Sequence, residues 1–341
     1  MTDKKDKDGK KLNLSRRSMF GAIAAGAAAS LPLAAQSQPA QSPPAQDPPK
    51  PAPARRDRQG GAGPLNVLFI SKHHSFDREN LFLALDSMGT TITWTHVEQP
   101  AAEAFYDPRL AEPYDVLLFY DAFAGRKFTL NPDGTVSNVD TPPSAQTQAN
   151  LKALLQAGNK GFVFFHHALS SWAHTWPAGL NGSNAYSEVM GGAADWGKTI
   201  HNVRGRDYQA SGALGGTKQR ITVVDKNHPV TQGLEDFDLV DETYLCPIFE
   251  DSVHPLLRTD FKPVDTAFVG RERTQGHPPG SNLTGWVKVA ERSPVVYIQH
   301  GHDARAWGNP SWRKLMLNAI RWAASPESKT WAKANEKRIF R

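Results

Sequence analysis

Short unbroken apolar runs alternate along the chain with longer segments whose apolar residues recur at helical spacing, a pattern that predicts a layered α/β domain. Three runs carry it most clearly: Val67-Leu68-Phe69-Ile70, Phe162-Val163-Phe164-Phe165 and Val295-Val296-Tyr297-Ile298. Each is rich in β-branched or aromatic residues and lacks polar alternation, as expected of a parallel strand buried on both faces. Each also runs into histidine, at His73-His74, His166-His167 and His300-Gly301-His302. Open α/β sheets bind ligands at the carboxyl ends of their strands, so these histidines are candidates for one shared crevice.

Further elements follow from the same pattern. A helix is expected over residues 77–88, stopped by Gly89, then a strand at 91–97 and a buried strand at 114–120. Residues 123–143 read as a long flap loop over the strand ends. Residues 144–157 fit a helix with Leu151, Leu154 and Leu155 on one face and Gly158 as its stop. Residues 170–216, rich in Trp, Gly, Asn and His, lack periodicity and are expected as an irregular excursion above the sheet. Strands are expected at 220–225, 266–271 and 285–290, and an amphipathic closing helix at 310–324. The basic segment 326–341 is expected to be a solvated tail.

The first part of the chain does not join this pattern. A basic head precedes Ser15-Arg16-Arg17-Ser18-Met19-Phe20 and an alanine-rich apolar run, so residues 1–35 read as a twin-arginine export signal, with a periplasmic or secreted destination. The run is too short to favour a permanent membrane span. Residues 36–63 are a Pro/Ala/Gln linker that cannot bury a core and is expected to be disordered, which leaves residues 64–325 as the domain and makes 1–63 dispensable for folding.

Composition narrows the partners. The chain of 341 residues carries a net charge of +5, but residues 1–58 hold eleven of the Lys/Arg and five of the Asp/Glu. That leaves 28 of 39 basic and 29 of 34 acidic residues in the remainder, which is near neutral and offers no basic stripe for nucleic acid. Cys246 is the only cysteine, so there is no internal disulfide. It does not lie on a strand-to-helix elbow, which argues against thiol catalysis.

Imidazole serves as metal ligand, general base or donor near neutral pH. His166-His167 sits at a strand-to-helix turn of the kind that lifts a reactive group clear of a sheet, and adjacent residues point apart, so one of the pair faces the crevice. The bland alternative is a ring bonded to a backbone carbonyl. His302 and Asp303 follow Gly301; Asp303 reads either as a partner for the imidazole or as a helix cap. Asp241-Glu242-Thr243-Tyr244 supplies two carboxylates and a phenol, or else a solvated turn. Histidine nitrogen with carboxylate oxygen suits zinc, manganese or iron, although no HExxH spacing is present. His201 is a weaker candidate, and His228-Pro229 reads as turn chemistry. Trp172, Trp176, Trp196, Trp307 and Trp312 cluster around these motifs and are suited to stacking on sugar faces or to core packing.

Taken in order, the motifs resemble the ThuA-like (trehalose utilisation) family over residues 65–325. They are Gly161-Phe162-Val163-Phe164-Phe165-His166-His167-Ala168-Leu169-Ser170-Ser171-Trp172, Met190-Gly191-Gly192, His228-Pro229-Val230-Thr231-Gln232-Gly233-Leu234, Asp241-Glu242-Thr243-Tyr244, and Gly301-His302-Asp303 before Asn309-Pro310 and Ile320-Arg321-Trp322. The resemblance implies a flavodoxin-like, class I glutamine amidotransferase-like fold: a parallel sheet with helices on both faces. It implies a carbohydrate substrate, a glycoside or 3-keto-sugar, with a non-catalytic sugar-binding module as the alternative. Glutaminase activity does not carry over, because His166 stands where the amidotransferases hold their cysteine. The motif positions carried over are His166, Glu242, Tyr244, His302 and Asp303, with His74 and His201 as further metal candidates.

Overall fold

The computed structural model describes residues 60–341, apart from 73, 174, 195–200, 209–210 and 263–279; for 201–203 it describes the backbone. The chain runs through β1 (Leu65–Lys72), α1 (Arg78–Asp86), β2 (Ile92–Glu98), β3 (Val116–Asp121), β4 (Arg126–Leu130), β5 (Val136–Asp140), α2 (Ala145–Ala157), β6 (Gly161–Phe165) and α3 (Ala185–Met190). There follow β7 (His201–Val203), β8 (Arg206–Tyr208), β9 (Gly212–Val223), β10 (Phe237–Leu245), β11 (His254–Thr259), β12 (Leu283–Ala290), β13 (Ser293–Ile298), α4 (Ala304–Trp307), α5 (Pro310–Ala324) and α6 (Pro326–Ala334). The export signal, most of the linker and the strand expected at 266–271 lie outside the described residues.

Nine strands form one sheet in the order β10-β9-β11-β12-β13-β6-β3-β1-β2. From β13 to β2 every pairing is parallel, which brings the carboxyl ends of β1, β3, β6 and β13 to one edge. Alternate residues of these strands feed two cores. Val67 and Phe69 pack on the face of α1 and α5, whereas Leu68 and Ile70 pack on the face of α2 and α3. Helices thus cover both faces, as the unbroken apolar runs require.

The sheet is mixed, not parallel throughout. Glu291 and Arg292 alone join β12 to β13, and so short a connection can link only antiparallel neighbours. β11 and β9 continue the antiparallel series. β9 meets β11 only through Ile221–Val223, so its earlier part pairs with β10 alone as a two-stranded ribbon. A bulge between Asp241 and Thr243 bends that ribbon. Its end reaches back over the carboxyl edge, where Tyr244 meets His166.

Three expectations about irregular segments are corrected. Residues 123–143 are not a structureless flap but the β4–β5 hairpin, closed at its base by a bidentate Arg126–Asp140 pair. Its strand residues face solvent, and without a buried face its alternation carries no strand signal. The excursion at 170–216 contains α3 and the β7–β8 hairpin. The basic segment 326–341 is packed: α6 starts at the Ser325 cap, Trp331 lies against Trp322, and Ile339 and Phe340 are buried with their amides bonded to Glu291 Oε1. Lys333, Lys337 and Arg338 occupy the solvent side and mask the few apolar anchors.

The linker boundary shifts as well. Gly60 to Gly63 lie along β2, with Trp94 N bonded to Gly60 O, Ala62 N to Gly89 O and Gly63 N to Ile92 O. A chain starting at Gly60 is therefore expected to melt at the full-length temperature. One starting at Pro64 is expected to melt lower, by roughly 4–12 °C for about four lost hydrogen bonds, the fourth from Thr93 Oγ1 to Gly63 O. Thermal denaturation checks this, and equal melting of both shortened chains would contradict it.

A second prediction concerns Asp121, which ends β3 fully buried, bonded by Gln99 Nε2. Burial pushes its carboxyl up to about 6, against the opposing hydrogen bonds of Gln99 and Ser171. A raised folded-state pKa gives stability that is complete below the unfolded value and is lost as pH rises through about 6. Asp121→Asn should therefore gain up to about 3 kcal/mol over the parent at about pH 8 and little at about pH 4. Denaturation at the two pH values reads the difference; an equal effect at both would refute the assignment.

Candidate functional site

His166 is the first residue beyond β6 and takes a left-handed backbone, φ 51°, which lifts its ring above the sheet edge. Such a conformation costs about 1–3 kcal/mol in a non-glycine residue and persists only when its surroundings hold it. Two bonds do so: Tyr297 donates its hydroxyl to His166 O at 2.7 Å, and His166 Nδ1–H donates to Gln299 O at 3.0 Å. Because a carbonyl can only accept, the neutral ring carries its proton on Nδ1 and turns the Nε2 lone pair to the centre.

Three groups surround that lone pair. The Tyr244 hydroxyl lies at 2.9 Å, His302 Nδ1 at 2.9 Å and Glu242 Oε2 at 3.2 Å. His302 Nδ1 is also 3.2 Å from the same carboxylate oxygen. Strand alternation explains why Glu242 and Tyr244, two apart on β10, both face His166. Hydrogen bonding to Glu242 holds the His302 pKa above its ordinary value, against desolvation. Burial would raise the Glu242 carboxyl, but His166 and His302, where the nitrogen facing it carries a proton, outweigh burial and hold the group well below the usual carboxylate range. The Tyr244 phenol is pushed up by burial and by the nearby Glu242 charge, so it stays protonated.

The donor set fits a divalent cation. Among the described residues, His166, Glu242 and His302 are the one group of three with ligand atoms close enough to share an ion. Separations of 2.9 and 3.2 Å are short enough for all three ligand atoms to reach one ion at bonds of about 2.1 Å. A lone pair accepts a single hydrogen, so Nε2 cannot satisfy all three neighbours through hydrogen bonds; a shared cation can take the lone pairs of both rings and the carboxylate together.

The remaining candidates divide. The His74 ring lies 5.1 Å from that of His302 and stacks on His167 at 4.8 Å, at the rim of the centre. Burial, with the adjacent His166 and His302, lowers its pKa, so it is a neutral base with Nδ1–H bonded to Ser75 O. His167 points away as expected, bonding Tyr120 O. Asp303 accepts from Arg305 N as the cap of α4 and pairs with the Arg305 guanidinium. His201 begins β7, with its side chain outside the described residues. His228 caps a turn, accepting from Val230 N, and Cys246 is buried just after β10. Trp172, Trp176, Trp307 and Trp312 are exposed by 4% or less, so they are core residues and not sugar platforms; Trp196 lies outside the described residues.

Several residues support the turn in roles that the sequence does not show. Trp312 Nε1 donates to His300 O, Trp307 Nε1 to Gly301 O and the Tyr120 hydroxyl to His302 O. Asp241 accepts from the amides of Gly301 and His302. For Asp241 a signal is present: it occupies the buried positions of an alternating series, Phe237, Leu239, Asp241, Thr243, where an unpaired carboxylate would be costly.

Comparison with known proteins agrees with this architecture. The sequence model of the family described as trehalose utilisation, ThuA, matches residues 66–323. A putative ThuA-like protein from Parabacteroides merdae superposes with a TM-score of 0.51 at 14% identity, over 77% of this chain and 90% of that one. A glutamine amidotransferase from Thermotoga maritima gives 0.34 at 9% identity, over 76% and 98%. PurLQS from Thermotoga maritima gives 0.40 at 12% identity, over 76% and 99%. No curated protein matches the chain. With its histidine-tipped parallel strands and a family match over most of its length, the chain belongs to the trehalose-utilisation (ThuA) family and shares the α/β fold of a putative ThuA-like protein.

Proposed function

We propose that the protein is a cation-assisted enzyme acting on a glycoside or 3-keto-sugar, exported through the twin-arginine signal at residues 1–35. Family membership supports a carbohydrate-related role. The observation that carries the chemistry is the convergence of His166 Nε2, His302 Nδ1 and Glu242 Oε2 on one point.

His166, His302 and Glu242 would hold the cation, for which zinc, manganese and iron are the candidates. When bound there, it would polarise a sugar carbonyl oxygen. A 3-keto group acidifies the neighbouring C2 proton, and neutral His74 at the rim is the group suited to take it through Nε2. The C2–H pair then forms the C1=C2 bond while the C1–O bond breaks, and the leaving oxygen takes a proton from solvent. Tyr244, with its pKa pushed up, keeps its proton; with the His166 Nε2 lone pair taken by the cation, that proton would turn to the Glu242 carboxylate. The Gly301 and His302 amides cannot serve as an oxyanion hole, because Asp241 already occupies them.

The full chain purified without chelator is expected to carry about one divalent cation and to convert a 3-keto-glycoside into an ultraviolet-absorbing enone. His302→Ala and Glu242→Gln should lose the cation and at least roughly 100-fold in turnover, with melting temperatures close to the parent. His166→Ala is a poorer probe, since alanine would keep the left-handed strain and leave Gln299 O without its donor. Cation affinity should fall as pH drops through the raised pKa of His302, beginning above the ordinary histidine value of about 6.5, because the proton and the cation compete for Nδ1. Full turnover after chelation would remove the cation from the reading. Sugar binding without turnover would make the protein a binding module.

A further inference from the structure

We propose that Asp241 is a positioning residue: its buried carboxylate sets the place of His302 relative to Glu242, and the centre forms only when that grip is made. The proposal rests on the cation-site reading above and extends it to a residue that touches neither substrate nor ion.

Asp241 is fully buried on β10, next to Glu242, at the bulge that bends the ribbon. Its Oδ2 accepts Gly301 N–H at 2.7 Å and its Oδ1 accepts His302 N–H at 3.0 Å. One carboxylate therefore fixes two consecutive amides of the turn that carries His302, while the next residue on its own strand offers Oε2 to His302 and His166. Two contacts from one rigid group set both distance and direction between ribbon and turn, which a single bond cannot do.

The turn has nowhere else to put these amides. Its carbonyls are taken by Trp312, Trp307 and Tyr120, and Gly301, at φ 135°, lies so close beneath Phe165 that a Cβ there would come within 2.9 Å of the ring. His300, the other group near Asp241, is 3.7 Å away through Nδ1, beyond hydrogen-bond range. The two amides thus depend on Asp241 alone, and without the carboxylate the turn must shift to find water. His302 would move with it, because its ring is the next atom group along the chain.

Asp241→Asn tests this. Asparagine has the same size and one accepting oxygen, but its amide nitrogen would face a backbone N–H. Cobalt(II) titration of the full chain, followed by the ligand-field absorption of the bound ion, should show affinity lowered by about 10–100-fold with a changed spectrum. Leu154→Ala, which opens a gap in the core against α2, is a control for general destabilisation and should bind cobalt as the parent does. Parental affinity in Asp241→Asn, or an equal loss in both variants, would overturn the proposal. If the parent itself takes no cobalt, the cation reading fails separately. The crystal structure of Asp241→Asn then decides: a displaced His302 ring supports the proposal, and a ring still 2.9 Å from His166 Nε2 overturns it. Should Asp241→Asn not fold, Asp241→Ser, which leaves room for a bridging water, is read in the same two ways.

Discussion

The centre depends on how the turn after β13 satisfies its backbone. A buried turn must find a partner for every amide and carbonyl, and here the partners come from five different elements: β12 through Thr284 O, β3 through Tyr120, β10 through Asp241, and α4 and α5 through their tryptophans. The remaining carbonyl, of Gln299, takes the Nδ1 proton of His166. That last bond joins the two halves of the site. It fixes the tautomer and rotation of one imidazole through the backbone that places the other.

This arrangement explains the division of labour in the fold. The parallel half of the sheet supplies His166, His74 and His302 from strand ends that share an edge, which the fold provides without further design. The carboxylate comes from outside that block, on a ribbon that leaves the antiparallel half and bends over the edge at a bulge. An imidazole at the elbow after β6 is therefore matched with acid from a segment that reaches it only by curling across the sheet. Helices on both faces keep the strand ends rigid, and aromatic cores beneath them, such as Tyr120 on Phe165 at 4.4 Å, leave little room for the edge to shift.

The sequence discloses those parts of the site whose position follows from local pattern. Apolar runs ending in histidine mark β1, β6 and β13, because strands buried on both faces have no polar alternation to blur them. Glu242 and Tyr244 are visible as functional groups in a motif, but nothing local says that their ribbon folds back onto His166. The roles of Asp241 and of the tyrosine and tryptophan clamps are hidden for the same reason: their partners are backbone groups far along the chain, and a backbone amide or carbonyl leaves no mark in a sequence. The β4–β5 hairpin reads as loop because its residues face solvent on both sides, and the C-terminal segment as a tail because its five Lys/Arg outnumber the anchors Trp331, Ile339 and Phe340. Trp172, Trp176, Trp307 and Trp312 suit sugar platforms by composition, yet burial makes them structural, with Trp307 and Trp312 serving the site only through their indole N–H groups.

The central claim is that two histidines and one glutamate form a cation site, and anomalous X-ray scattering from crystals of the manganese-loaded full chain tests it most directly. The account predicts one strong peak about 2.0–2.2 Å from His166 Nε2, His302 Nδ1 and Glu242 Oε2. A peak elsewhere, or none, with His302 donating its Nδ1 proton to Glu242 across the centre, would contradict it and leave the three residues as a hydrogen-bonded cluster.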